Sequence, residues 1–239
     1  MELNLYPHQL KVIEQLHNGS ILCAGVGTGK SRTALAYYFF KVCQGEVPIN
    51  KQGSLKEMKT PRDLFIITTA KKRDSQEWEK ECLPFCLSKE PNGVNNVHVT
   101  VDSWNNIQKY RKVIGAFFIF DEQRVVGSGA WVKAFLDISR KNQWILLSAT
   151  PGDTWTDYIP VFVANGFYRN KTEFLRRHAV FSRFAKYPKI DRFVETKHLE
   201  NLRNQILVHM SYEKKALQIH RPVFTSYDRD LYLTVMRDH

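Results

Sequence analysis

Residues 24–31 read AGVGTGKS and follow the apolar run Ile21–Cys23 directly. Small residues at the end of a strand let successive backbone N–H groups close around phosphate oxygens. The helix that follows adds its positive end to the same place. Lys30 is then placed to reach β- and γ-phosphates, and Ser31 to offer its hydroxyl to Mg²⁺. The stretch matches G-x-x-x-x-G-K-[ST] except that Ala24 replaces the first glycine. An ordinary glycine turn is the competing reading, and the strand-then-helix context favours the phosphate loop. Gly25, Val26, Gly27, Thr28, Gly29, Lys30, Ser31 and Arg32 are the expected nucleotide-binding residues.

A second chemical signal is FFIFDEQR at residues 117–124, four apolar residues ending in a carboxylate pair. Asp121 suits a Mg²⁺ ion held partly through water. Glu122 suits the orientation and deprotonation of an attacking water, which makes Glu122 and Lys30 the expected catalytic residues. Two solvated loop acids are the competing reading. A third signal, WILLSATPGDTW at residues 144–155, ends an apolar run in Ser148-Ala149-Thr150. Its two hydroxyls can sense a γ-phosphate or relay its loss.

These residues need a scaffold. Apolar runs at 21–24, 64–68, 97–101, 117–120 and 144–147 read as buried strands. Helical spacing appears at 7–17, 30–42, 72–87 and 130–140, with Pro7 at a helix start. Strands alternating with helices imply a mostly parallel sheet covered on both faces, whose ligands lie beyond the carboxyl ends of the strands. All three signals fall at such ends. Residues 45–61 are rich in Gly, Pro and Lys and read as a mobile surface loop. Beyond about residue 155 the alternation gives way to helical, aromatic and basic sequence. The expected organisation is a nucleoside-triphosphate-binding domain over 1–160 and a helical, basic extension over 161–239.

The chain of 239 residues carries a net charge of +11. Residues 160–239 hold 15 Lys and Arg against 8 Asp and Glu. Such an excess suits a polyanionic partner. No apolar run approaches the roughly 20 residues that span a bilayer, so no membrane partner is expected. Cys23, Cys43, Cys82 and Cys86 fit no zinc spacing and read as free thiols in a reducing cytoplasm.

Taken in order, these motifs resemble those of superfamily 2 helicases and translocases, more closely the Swi/Snf-type branch, and similar arrangements occur in phage-encoded helicases. AGVGTGKS resembles motif I, DEQR the motif II box and SAT motif III. YPHQ at residues 6–9 resembles the segment whose glutamine reads adenine, which points to Gln9. ITTAKKRDSQEWEKECLPF at 67–85 resembles motif Ia, with Trp78 and Glu81 in W-x-x-E spacing. VTVDSWNNI at 99–107 stands where motif Ib belongs. KHLENLRNQILVHM at 197–210 resembles the helix closing a first motor lobe, and RPVFTSYDRDLYLTV at 221–235 the strand and helix entering a second.

The resemblance implies a RecA-like P-loop NTPase domain of α/β class that uses ATP and Mg²⁺. Ser31 and Asp121 would serve the metal, and Gln123, Ser148 and Thr150 would couple hydrolysis to movement. Lys71, Lys72, Ser103 and Trp104 would contact DNA phosphates without regard to sequence. It also implies a second RecA-like lobe with arginine fingers, expected to begin where this chain stops. The box departs from many relatives, which carry Ala or Gly and then His where this chain has Gln123-Arg124. The leading expectation is the amino-terminal motor lobe of an ATP-dependent DNA helicase or translocase. The alternative is a single-lobed, nucleotide-dependent module that binds DNA or protein with little turnover.

Overall fold

The computed structural model describes residues 3–46, 57–90, 95–122, 125–185, 187–211 and 228–237. In chain order the first elements are α1 (Pro7–Gln15), β1 (Ile21–Cys23) and α2 (Lys30–Tyr37), which widens into a π turn over Tyr38–Val42. A short hairpin, β2 (Gly45–Glu46) and β3 (Glu57–Met58), precedes β4 (Leu64–Thr68), α3 (Ala70–Asp74) and α4 (Glu77–Cys82). Next come β5 (Val99–Ser103), β6 (Phe117–Asp121), α5 (Ala130–Ser139), β7 (Gln143–Ser148), α6 (Trp155–Ala164) and α7 (Lys171–His178). The chain then forms β8 (Ala179–Phe181), β9 (Ile190–Phe193), α8 (Thr196–Ile206), β10 (Leu207–His209) and α9 (Arg229–Arg237).

Six strands form one sheet in the order β10-β1-β7-β6-β4-β5, and every pairing in it is parallel. Alternation of side chains explains why it is covered twice. Phe117, Ile119, Ile145 and Leu147 pack on one side with Val12, Leu35 and Trp78 from α1, α2 and α4. Phe118, Phe120, Trp144 and Leu146 pack on the other with Phe135, Phe162 and Leu199 from α5, α6 and α8. All five residues of β6 are buried, as a central parallel strand requires. Among the described residues no helix is long and apolar enough to cross a membrane.

The fold is the expected α/β arrangement, with four differences in detail. The helix expected over 72–87 is broken into α3 and α4, with Gln76 in the left-handed region at φ 55°. The break turns Trp78 into the core. The third strand runs two residues later than its apolar run, because Asp102 and Ser103 are buried at its end. There the Asp102 carboxylate accepts from Asn106, Tyr110 and its neighbour's backbone N–H. The sixth strand, β10, lies beyond residue 160 and was not expected: three residues are too short to carry a period. Finally, the stretch read as a loop has paired ends, β2 against β3, while its middle lies outside the described residues.

Candidate nucleotide site

Strand order assembles the site. β7 lies between β1 and β6, with Cys23 opposite Ser148 and Asp121 opposite Leu147. The backbone continues this register past the strands: Ala24 N–H donates to Ser148 O at 3.1 Å and Glu122 N–H to Leu147 O at 3.2 Å. The glycine loop, the SAT turn and the acid pair therefore leave the sheet side by side.

The loop is held by its own polar groups. Thr28 Oγ1 donates to Gly25 O at 2.8 Å, and Thr33 Oγ1 to Gly29 O at 3.0 Å. Lys30 Nζ donates to Ala24 O and Gly25 O, both at 2.7 Å. Burial pushes the Lys30 ammonium below its ordinary range, and Asp121 partly counters this. Gly27 and Gly29 have φ of 75° and 85°, which explains the need for glycine there. Gln9 is buried, and its side chain donates to Gly29 O at 3.3 Å while accepting from Tyr6 N–H at 2.9 Å. A Cβ on Gly29 would lie 2.5 Å from Gln9 Nε2. Val26 is 81% exposed at the loop's crest. Arg32 pairs with Glu81 at 2.5 Å. Ser31 lines a cavity of about 210 Å³ together with Lys72, Trp78 and Glu81.

Asp121 is 1% exposed, and three donors converge on its Oδ2: Thr68 Oγ1 at 2.8 Å, Trp78 Nε1 at 3.1 Å and Lys72 Nζ at 3.2 Å. Burial raises its pKa despite Lys72 and Thr68. Its Oδ1 is buried and has no hydrogen-bond partner among the described residues. An unsatisfied buried carboxylate oxygen on a group that interacts electrostatically with Lys30 is the donor that a hard cation or its water would take, so the residues present fit Mg²⁺. Glu122 lies 2.6 Å from Lys72 Nζ and adopts φ 60°. A non-glycine residue there stores strain, and such strain concentrates at functional sites. Burial pushes the Lys72 ammonium down, but its bonds to Glu122 and Asp121 outweigh this and hold its pKa above the ordinary value.

The other expected residues fall as follows. Ser148 is buried, and its Oγ accepts from Thr150 N–H at 3.1 Å. Gln123 lies outside the described residues. Of the four residues expected at DNA, Lys71 alone is exposed. Lys72 turns its ammonium to the two acids because they are the nearest opposite charges. Ser103 is buried and accepts from Arg73 at 3.4 Å. Trp104 is 3% exposed and donates its indole N–H to Asp121 O at 2.9 Å, which clamps the end of β6 from below. Sequence reasoning did not single out Thr68; its signal was a hydroxyl directly after the apolar run LFII.

No protein-family model and no curated protein matches the chain. Among solved structures the chain resembles the Sulfolobus solfataricus SWI2/SNF2 ATPase core in complex with dsDNA, at TM-score 0.60 and 16% identity over 86% of this chain. The chain spans 44% of that neighbour's length. The Pyrococcus furiosus Hef helicase domain matches at TM-score 0.48 and 15% identity, covering 73% of this chain and 40% of its own. The large terminase ATPase domain of Thermus phage P74-26 matches at 0.40 and 16%, covering 64% of this chain and 68% of its own. The likeness to the first is one of fold: an α/β domain of RecA-like type.

Proposed function

We propose that the chain is the ATP-binding amino-terminal motor lobe of an ATP-dependent DNA translocase or helicase. The observation that carries this reading is the strand order, which sets the glycine loop, the acid pair and the SAT turn on three adjacent strand ends. Lys30 and the loop amides bind the triphosphate, and Gln9 orients the base. Ser31 and Asp121 hold Mg²⁺, which when bound neutralises charge on the transferring phosphoryl group. Glu122 takes the proton of the attacking water. Ser148 and Thr150 report the loss of phosphate to the neighbouring surface. Arginine fingers from a second lobe contribute roughly 10³–10⁵ in rate in motors of this chemistry, so turnover by this lobe alone is slow. Exposed Lys71 and the backbone at the ends of β4 and β5 contact DNA phosphates, which makes binding sequence-independent and salt-sensitive.

The Lys72–Glu122 ion pair favours a second reading, a nucleotide-dependent binding module with little turnover. One experiment separates the two. ATP turnover and ATP affinity are measured for the chain and for Glu122→Gln, in the presence of DNA. The motor reading expects measurable turnover in the parent, none in the variant, and unchanged affinity. Turnover that survives in Glu122→Gln removes the assigned role of Glu122, and a parent with no turnover beside a separate second lobe leaves the binding module.

A further inference from the structure

The β8–β9 hairpin, absorbed by none of the motor motifs, has a buried root and an exposed aromatic tip. At the root, His178 is fully buried, and its Nε2 lies 2.7 Å from Tyr168 Oη. His178 Nδ1 is 3.2 Å from Glu195, and Phe174 packs on both Tyr168 and Phe193. Backbone bonds from Val194 N to His178 O and from Ser182 N to Lys189 O close the ladder. At the tip, Phe184 is 99% exposed, Tyr187 74% and Phe181 42%. A buried Phe gains on the order of 1.5–3 kcal/mol over an exposed one, so folding of this lobe does not account for a ring left in water on both faces.

The surroundings of those rings identify what they meet. Between Phe181 and Phe193 the sequence places Arg183, Lys186, Lys189 and Arg192 against one acid, Asp191. Protein interfaces are depleted in Lys, whereas this stretch holds two lysines and a net charge of +3, which suits a polyanion. Aromatic rings interleaved with cations are instead the composition of a surface for unpaired nucleotides, where rings stack on bases and cations track phosphates. We propose that the tip of the β8–β9 hairpin is a second nucleic-acid contact: Phe184 and Tyr187 stack on unpaired bases, while Arg183, Lys189 and Arg192 hold the flanking phosphates. This rests on the reading that the chain binds nucleic acid. It adds that the chain prefers single strands and forks to intact duplex, and a rigid root lowers the ordering cost of presenting the rings.

The test uses the full chain and labelled oligonucleotides of one sequence, as single strand, blunt duplex and fork, with anisotropy read over a salt series. Phe184→Ala combined with Tyr187→Ala is expected to weaken single-strand and fork binding by about 10-fold or more, because each stacked base is worth about 1–3 kcal/mol. The blunt duplex and the salt slope stay unchanged. Arg183→Gln with Arg192→Gln weakens binding to all three and lowers the slope by about 1 to 2. Parent-like fork binding by the aromatic variant overturns the hairpin contact alone and leaves the tip to a protein partner. A parent chain that binds no oligonucleotide at low salt overturns both the hairpin contact and the DNA clause of the proposed function. Photocrosslinking of the parent to iodouracil-substituted single strands gives a readout that does not depend on any folding defect in the variants. Adducts within residues 181–189 support the contact, and adducts confined elsewhere refute it.

Discussion

Thr68 offers a sharp test of how the acid pair is held. Its side chain is fully buried, and its hydroxyl is one of three donors on Asp121 Oδ2, at 2.8 Å. Thr68→Val replaces that hydroxyl with a methyl of nearly the same volume. No cavity forms, so the change isolates one hydrogen bond to a carboxylate that water does not reach. Bonds to charged groups are worth about 1.5–3 kcal/mol, and the burial of Asp121 argues for the upper half. Thr68→Ser makes the opposite change: it keeps the donor and deletes one buried methyl, at a cost of about 1 kcal/mol. The expected order of stability is therefore parent, then Ser, then Val. If apolar packing dominated this position, Val would match or exceed the parent and Ser would be the weaker variant. Denaturant titration reads both free energies, with an unchanged slope confirming that the unfolded state is unaffected. A Thr68→Val variant as stable as the parent would refute the claim that Asp121 depends on its buried donors.

Two further outcomes follow from the geometry. Gly29→Ala forces a side chain into φ 85° and against Gln9, so a loss of roughly 1–2 kcal/mol in thermal unfolding is expected. Displacement of Gln9 is expected to weaken ATP binding in a nucleotide titration of the same variant. At the hairpin root, burial pushes the pKa of His178 below its ordinary 6.5, only partly countered by Glu195. The unfolded chain then takes up the proton first, so stability is held above about pH 6.5 and declines as pH falls below it. His178→Gln is expected to flatten that decline in denaturation midpoints measured from about pH 8 to 5. An unchanged slope would show that His178 is protonated as readily in the folded chain.

Much of the sheet was legible because its strands are apolar on both faces, a pattern that local sequence carries. The glycine loop was equally plain, since Gly27 and Gly29 need backbone angles that few other residues tolerate. What stayed hidden depends on contacts distant in sequence. The W-x-x-E spacing is visible, yet nothing local shows that Trp78 donates to Asp121 or that Glu81 meets Arg32. Lys72 was expected, with Lys71, at DNA phosphates. Only the fold brings it to Asp121, 49 positions away. Strand β10 is stable only because β1 supplies its partner groups.

That last strand has a mechanical consequence. Among the described residues β10 is an edge strand, bonded to β1 and to no other strand. The following residue, Met210, is tied in as well, its N–H to Cys23 O at 2.9 Å and its sulfur to the Thr33 hydroxyl at 3.4 Å. Tension on the backbone beyond residue 210 thus loads several parallel bonds in shear along β1, the strand that leads into the glycine loop. A pull from that side reaches the glycine loop before it can loosen the remainder of the sheet.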